Sequence, residues 1–513
     1  MPKRRMEKMK KQAITSITIV MILTILMLAA SSLQVHSGLT AKVDGTGINN
    51  SKPSTSGSAL TSGSTLEYVV NPKLVRFERY SGGFMYNTVG ELRRAYDLDP
   101  LYASGYDGSG QTVVIVDAYG SPTIYEDLLS FILWQNTRPE LTYKLPWTTM
   151  ADVQNHLHVY YPLGKPTFNV NPTPKDPERA IRLIGWSQET TLDVDMVHAI
   201  APGADIALVI APNAGGDSLN LCVNYAITNH LGSVISQSFG MPEYLLHGNN
   251  GQMDQAHKNY VLAASYGITV FASTGDDGAT NGGPYNNALF PASDPYVTGV
   301  GGTNLFMTCT DGFKEGTGSW DGSNHNGTTY LYEVAGNDYE GMVADGNPAP
   351  EDIVTTGGAM SWMFSLPSWQ SGITLTDTSG ATTAPAGRCT SDVSFDSGVY
   401  GGLGAVFYTA YSPLAGGYII GGTSAGSPFW AALTAIGCQY AGHSLGCINP
   451  GLYGFYFGGT AYSSGSFHDI TLGDNTFPYG GAVAGYKATT GWDAPTGIGS
   501  PDASILIPNM STW

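Results

Sequence analysis

Residues 421–428, Gly-Gly-Thr-Ser-Ala-Gly-Ser-Pro, hold a serine in the setting a nucleophile needs. The apolar approach Tyr418, Ile419 and Ile420 reads as a strand. Phe429-Trp430-Ala431-Ala432-Leu433 reads as the start of a buried helix. Gly421 and Gly422 permit a sharp, close-packed turn between the two. Pro428 is tolerated in a first helical turn, where N–H groups have no intrahelical partner. Those N–H groups and the helix dipole favour an anion that develops beside Ser424. The same triplet also makes an ordinary helix cap, so its meaning depends on partners elsewhere.

Two other segments supply candidate partners. In Gln188-Glu189-Thr190-Thr191-Leu192-Asp193-Val194-Asp195, a helix would put Glu189 and Asp193 on one face, with Asp195 pointing elsewhere. Two carboxyls on one face repel, share a proton and split their pKa values. One can act as a base while the other orients it. A solvated acidic face is the plain alternative, and the apolar flanks argue against full exposure. The third segment, Phe271-Ala272-Ser273-Thr274-Gly275-Asp276-Asp277-Gly278, places Asp276 just after an apolar run. That is the carboxyl edge of a parallel strand, where sites form. It is also good turn sequence. Asp276 can donate to an oxyanion only when protonated, which favours work in acid.

Together these segments resemble the sedolisin family, serine-carboxyl peptidases with a subtilisin-like fold. The shared pattern is Glu-x-x-x-Asp on a helix, Gly-Asp after a strand and Gly-Thr-Ser before Pro, in that chain order. Phe290-Pro291-Ala292-Ser293-Asp294-Pro295, Gly301-Gly302-Thr303 and Pro367-Ser368-Trp369-Gln370 also match, and the likeness spans roughly residues 85–505. The resemblance implies that Ser424 is the nucleophile, Glu189 its general base and acid, Asp193 the orienter and Asp276 the oxyanion-hole acid. It also implies calcium between two late loops. The ligands would be the Asp469 and Asp493 carboxylates and the carbonyls of Ile470, Thr489 and Gly491, an all-oxygen set. Two polar turns are the plain alternative there. Departures are Ser391 where the family generally has Pro, Thr489 where it often has Gly, and one glycine fewer around Thr356-Gly357-Gly358-Ala359.

The chemistry is coherent without the family. A histidine base is protonated in strong acid, whereas a glutamate near 4.3 keeps a usable base fraction. Ordinary subtilisins are the nearest competitor, and residues 113–118 look like their aspartate strand. No His-Gly-Thr-His segment exists here, and His198 lies too far along the helix to substitute. The resemblance implies instead that Asp117 stands behind the carboxyl pair and hydrogen-bonds it. His156 and His158 lack a third ligand at good spacing and read as a surface loop.

The elements that must position these residues alternate in type. Apolar or β-branched runs at 112–116, 206–210, 234–238, 268–272, 297–300 and 405–408 read as strands. Helical stretches near 190–200, 217–230, 252–265 and 424–437 lie between or after them. The expected fold is α/β: a subtilisin-like parallel β-sheet flanked by helices on both faces, with a C-terminal calcium-binding region. Residues 136–180 and 306–355 read as surface insertions.

Composition narrows the setting. Of 513 residues, 42% are hydrophobic and only 12% charged, about half the usual charged share. The formal charge of −18 argues against a nucleic-acid partner. With 23 Lys and Arg, the chain avoids heavy positive self-repulsion once its carboxyls neutralise in acid. Lys3, Arg4, Arg5, Lys8, Lys10 and Lys11 precede an apolar run at 13–30. Residues 1–32 therefore read as a signal peptide or a membrane anchor, with residues 33–67 a Ser/Thr/Gly-rich linker and 68–513 the peptidase-like domain. Either way the domain is expected outside the cell, secreted or anchored, as a monomer acting on proteins or peptides. The roughly 35 residues before the first ordered segment are too few to fold alone, so a self-contained prodomain is not expected. Five cysteines in that setting suggest Cys438–Cys447 and Cys309–Cys389 disulfides, with Cys222 a buried thiol.

Overall fold

The computed structural model describes residues 67, 68, 70, 73–76, 86–173, 176–246, 250–309, 312–315, 329–338, 354–399, 403–411, 415–477 and 483–513. The expected leader and nearly all of the expected linker lie outside these. Among the described residues no helix is long and apolar enough to cross a membrane.

The strands of the two larger sheets are β1 Lys73–Arg76, β2 Thr112–Ala118, β3 Leu157–Tyr160, β4 Asp205–Ala211, β5 Val234–Gln237 and β6 Thr269–Ser273. They continue as β7 Thr298–Cys309, β8 Gly312–Glu315, β9 Thr329–Ala335, β10 Val393–Asp396, β11 Leu403–Tyr408 and β12 Gly416–Gly421. The helices that matter for the site are α1 Arg179–Ile200, α2 Gly216–Thr228, α3 Asn250–Ser265 and α4 Gly426–Ala441. One nine-stranded sheet runs β8-β7-β6-β5-β2-β4-β3, with β9 and β10 also paired to β7. Pairing is parallel from β3 through to β7 and at β10; β8 and β9 are antiparallel additions.

Alternation along β2 explains why the sheet is covered on both faces. Val113 and Ile115 join Phe271 against Leu192 and Val197 of α1 and Phe429 and Leu433 of α4. Val114 and Val116 point the other way, with Val270, onto Leu219 and Val223 of α2 and Ala256 and Tyr260 of α3. A strand buried on both faces reads as an unbroken apolar run, which is how it was recognised in the sequence.

Several expectations need correction. Residues 405–408 do form a strand, β11, but it belongs to a separate antiparallel sheet ordered β1-β12-β11. The stretch 136–180 is more than a surface insertion, because β3 within it extends the main sheet beside β4. Likewise β7 and β9 carry the sheet into 306–355, burying Leu305, Met307 and Ala335. His156 ends a helix at Met150–His156 and pairs with Asp205 at 2.7 Å, while His158 lies in β3 rather than in a loop. Cys389, Cys438 and Cys447 are thiols, so neither expected disulfide is formed. Each is packed at a separate place: Cys438 on the buried side of α4, Cys389 with its Sγ near the Gly387 carbonyl. Cys222 is the buried thiol expected.

Candidate active site

Strand β12 ends at Gly421, and a 3₁₀ turn over Thr423–Ala425 leads into α4. Ser424 sits in this turn. Gly422 joins strand to turn at φ 120, a conformation closed to side chains, and a Cβ there would stand 2.9 Å from Asp276 Oδ2. The glycine is therefore required twice, by its backbone angle and by the carboxyl against it.

Asp276 follows β6 across Gly275. The Thr423 N–H donates to its Oδ1 at 2.6 Å and the Thr423 hydroxyl to the same atom at 2.9 Å. The Gly275 N–H returns a bond to that hydroxyl at 3.1 Å. The turn carrying Ser424 and the turn carrying Asp276 are thus fastened to one another. The glycine loop after Val354 closes the back of this joint, with Gly357 donating to the Gly275 carbonyl at 2.7 Å and Thr355 to that of Asp276 at 2.9 Å.

Helix α1 brings up the carboxyl pair. Glu189 and Asp193 share one face and are fully buried, with Asp117 from the end of β2 beside them. The solvated-face alternative is excluded by this burial. Ser424 is 3% exposed and Asp276 6%, against 0% for the three carboxyls, so the serine and Asp276 form the outward side of the cluster. Burial, then the nearby Asp117, raises Glu189 well above the usual carboxylate range, while the Ser424 hydroxyl favours its charged form. That hydroxyl faces Glu189 without the alignment of a settled hydrogen bond, as is common in resting sites. Burial, Asp117 and Glu189 together raise Asp193. Burial raises Asp117 itself to about 7. Three carboxyls in one dry pocket cannot all ionise together, so protons stay in the cluster far above ordinary carboxylate pH. Asp195 points away, as expected, and is raised by its own burial and by Asp127.

Ser238, just after β5, is the member that the sequence reading passed over. Its hydroxyl donates to Asp193 Oδ1 at 2.7 Å and lies 3.1 Å from the Ser424 carbonyl. It thereby links the carboxyl pair to the nucleophile turn. Its place just after β5, on the same sheet edge as Asp276, was the available signal. His198 is fully buried, stacks on Trp147 at 4.1 Å between centroids, and plays no part in the cluster.

The two late loops also meet. Gly491 donates its N–H to Asp469 at 3.0 Å, and Thr489 donates to Asp493 at 3.0 Å. Asp493 is buried and held at about 8 by that burial, with Asp469 close enough to add to it. Ile470 is buried beside Asp469. Among the described residues no group of three or more His, Cys, Asp or Glu could hold a metal.

No family model matches the chain. By sequence it is 33% identical over 337 residues to kumamolisin of Bacillus sp. strain MN-32, covering 64% of this chain and 52% of that one. It is 32% identical over 303 residues to sedolisin of Pseudomonas sp. strain 101, covering 57% and 43%. Tripeptidyl-peptidase sed5 of Aspergillus fumigatus is 31% identical over 260 residues, covering 48% and 38%. The chain spans about half the length of the curated relatives it matches. Among solved structures, Pseudomonas sedolisin, a serine-carboxyl proteinase complexed with pseudo-iodotyrostatin, aligns with TM-score 0.60 and 24% identity over 84% of this chain and 99% of that one. That likeness speaks for the fold, and the sequence matches relate the chain to the sedolisin family.

Proposed function

We propose that the chain is an acid-active serine-carboxyl peptidase that works outside the cell. Ser424 Oγ attacks the scissile carbonyl carbon while its proton passes to Glu189 in the form of the proton-sharing trio where Glu189 carries the charge, a form that the Ser424 hydroxyl favours. Asp193 orients Glu189 and takes up part of the proton charge, itself steadied by Ser238. Asp276, protonated, donates to the oxygen that becomes negative. Glu189 then gives its proton to the departing amine, leaving an acyl-enzyme on Ser424. Water repeats the sequence and releases the acid. The observation that carries this reading is the convergence of Ser424, Glu189, Asp193 and Asp276, from three distant segments, in one buried cluster.

The C-terminal loops fit calcium. Asp469 and Asp493 are neighbouring carboxylates in a largely buried place, a repulsion that a cation relieves. With the carbonyls of Ile470, Thr489 and Gly491 they make an oxygen-only set suited to that ion. Bound there, calcium supplies stability and takes no part in the reaction.

Two other readings compete: a surface binding protein on a disabled peptidase fold, and a neutral subtilisin-like hydrolase. The four side chains in place disfavour the first, and the lack of a histidine in the cluster disfavours the second. The test is peptide cleavage by the full chain from pH 2 to 8 with calcium, beside Ser424→Ala and Glu189→Gln. Activity confined to acid and lost in both variants is expected. Activity that survives Ser424→Ala, or none at any pH from a folded chain, overturns the proposal.

A further inference from the structure

Outside the carboxyl trio, Asp338 is a further buried acid, 2% exposed, just after β9 in the stretch expected to be a surface insertion. Its two oxygens gather three neutral donors from three separate segments. Asn304 of β7 donates its side-chain amide to Oδ1 at 2.7 Å. The Val399 N–H, beyond β10, donates to Oδ2 at 3.0 Å, and the Val354 N–H reaches the same atom at 3.3 Å. Asp338 returns its own N–H to the Val354 carbonyl at 2.9 Å. The acids of β9 and β10 are taken up elsewhere, Glu333 by Tyr96 and Thr303, Asp396 by Asn87 and the Leu305 N–H.

Both segments held by Oδ2 lead to candidate catalytic groups. Val354 precedes Thr355, whose N–H donates to the Asp276 carbonyl at 2.9 Å and whose carbonyl accepts from Gly278 at 2.8 Å. The turn that carries Asp276 is thus gripped on both sides. Val399 lies against Gly421, where a Cβ would stand 2.6 Å from the Val399 N and Cγ2. Two residues earlier, the Ser397 carbonyl accepts the Gly422 N–H at 2.7 Å. Val354 and Val399 also share a small apolar cluster with Ile419 of β12, the strand that leads to Ser424. Burial raises the Asp338 carboxyl to about 7, and Asp276 is close enough for its charge to add to that. We propose that Asp338 is a positioning residue for catalysis: through Val354 and Val399 it fixes the Asp276 turn against the Ser424 turn, and so aims the oxyanion donor at the carbonyl that Ser424 attacks. This rests on the peptidase reading for the word catalysis; the tie between the two turns stands in either case.

The test is a double-mutant cycle on the full chain: Asp338→Ala, Asp276→Ala and the pair, with peptide cleavage followed at pH 4. An aimed donor acts in the transition state, so Asp338→Ala should lower kcat about 10-fold or more and change KM less than about threefold. With Asp276 already replaced, the same substitution should cost less than about twofold, because nothing is left to aim. A general weakening of the fold would instead cost the same in both backgrounds. Equal losses with and without Asp276, or a raised KM with kcat kept, overturn the proposal. Where Asp338→Ala fails to fold, Asp338→Asn takes its place, since it keeps the volume but turns an amino group toward a donor; equal losses again overturn the proposal. Hydrogen exchange gives a readout free of turnover. Fragments covering 354–358 and 420–425 should exchange at least about 10-fold faster in the variant, while β2 keeps its parental protection. Unchanged exchange in those fragments removes the tie. A folded parent that cleaves nothing but shows the exchange effect sinks the peptidase reading, and the catalytic role with it, and leaves the tie. An active parent in which Asp338 and Asp276 act independently keeps the peptidase reading and sinks the role of Asp338.

Discussion

Asp117→Asn removes one titratable carboxyl from the buried trio and leaves its shape. Burial holds the folded-state pKa of Asp117 at about 7, against an ordinary 3.8. Between those values the folded chain keeps a proton that the unfolded chain has lost. Stability from this group is therefore complete below 3.8 and is lost as pH rises through 7, the reverse of a salt-bridged carboxylate. About three pH units at 1.36 kcal/mol each is roughly 4 kcal/mol for an isolated site. The proton is shared with Glu189 and Asp193, so the substitution should remove about half of that, ~2 kcal/mol. The assay is urea unfolding at pH 4 and pH 8, with calcium fixed, for parent and variant. The parent should lose more stability than the variant on going to pH 8, by about 2 kcal/mol. His198, which burial lowers to about 3, weakens the fold in acid, but it is common to both proteins and cancels in the comparison. Equal pH dependence of unfolding in the two proteins would refute the claim that Asp117 holds a proton in the folded state.

Asp276→Asn keeps a neutral donor and an oxygen for Thr423, so it should retain activity at pH 4 within about 10-fold and extend it toward neutral pH. Asp276→Ala should lose about 10²–10³ in kcat, the usual cost of one oxyanion donor. Equal losses in the two variants would remove Asp276 from that role. Chelation should lower the melting temperature of the parent by several degrees and leave Asp493→Asn unchanged, as scanning calorimetry would show; a parent indifferent to the chelator would argue against the calcium loops.

The legible part of this molecule was the part whose signal is local. Strands β2 and β4 and most of β6 are continuous apolar runs because both of their faces are covered, β5 opens with Val234-Ile235, and the Glu189/Asp193 spacing needs only a helix to become a pair. Strand β3, Leu-His-Val-Tyr, mixes a polar residue into an edge position and gave no such signal. Strand β11 looked like a core strand because an apolar run does not say which sheet it joins. Ser238 was hidden for a different reason: a serine at a strand end acquires meaning only from what folds against it, here Asp193 from another helix. The cysteine pairings failed in the same way, since sequence separation says nothing of whether two thiols reach each other across a packed core.

The candidate carboxyl pair and the nucleophile turn are held by two helices that are buried over long stretches. Every residue of α1 from Glu189 to Ile200 is buried, and so is every residue of α4 from Gly426 to Cys438. Many enzymes mount their reactive groups on loops that can loosen while the scaffold stays intact. Here Glu189 and Asp193 lie within the buried part of α1, and Ser424 lies in the turn that runs straight into buried α4. The site has no low-energy way to fray alone, so loss of activity on heating and collapse of the whole domain become one event, and catalytic turnover reports the integrity of the interior.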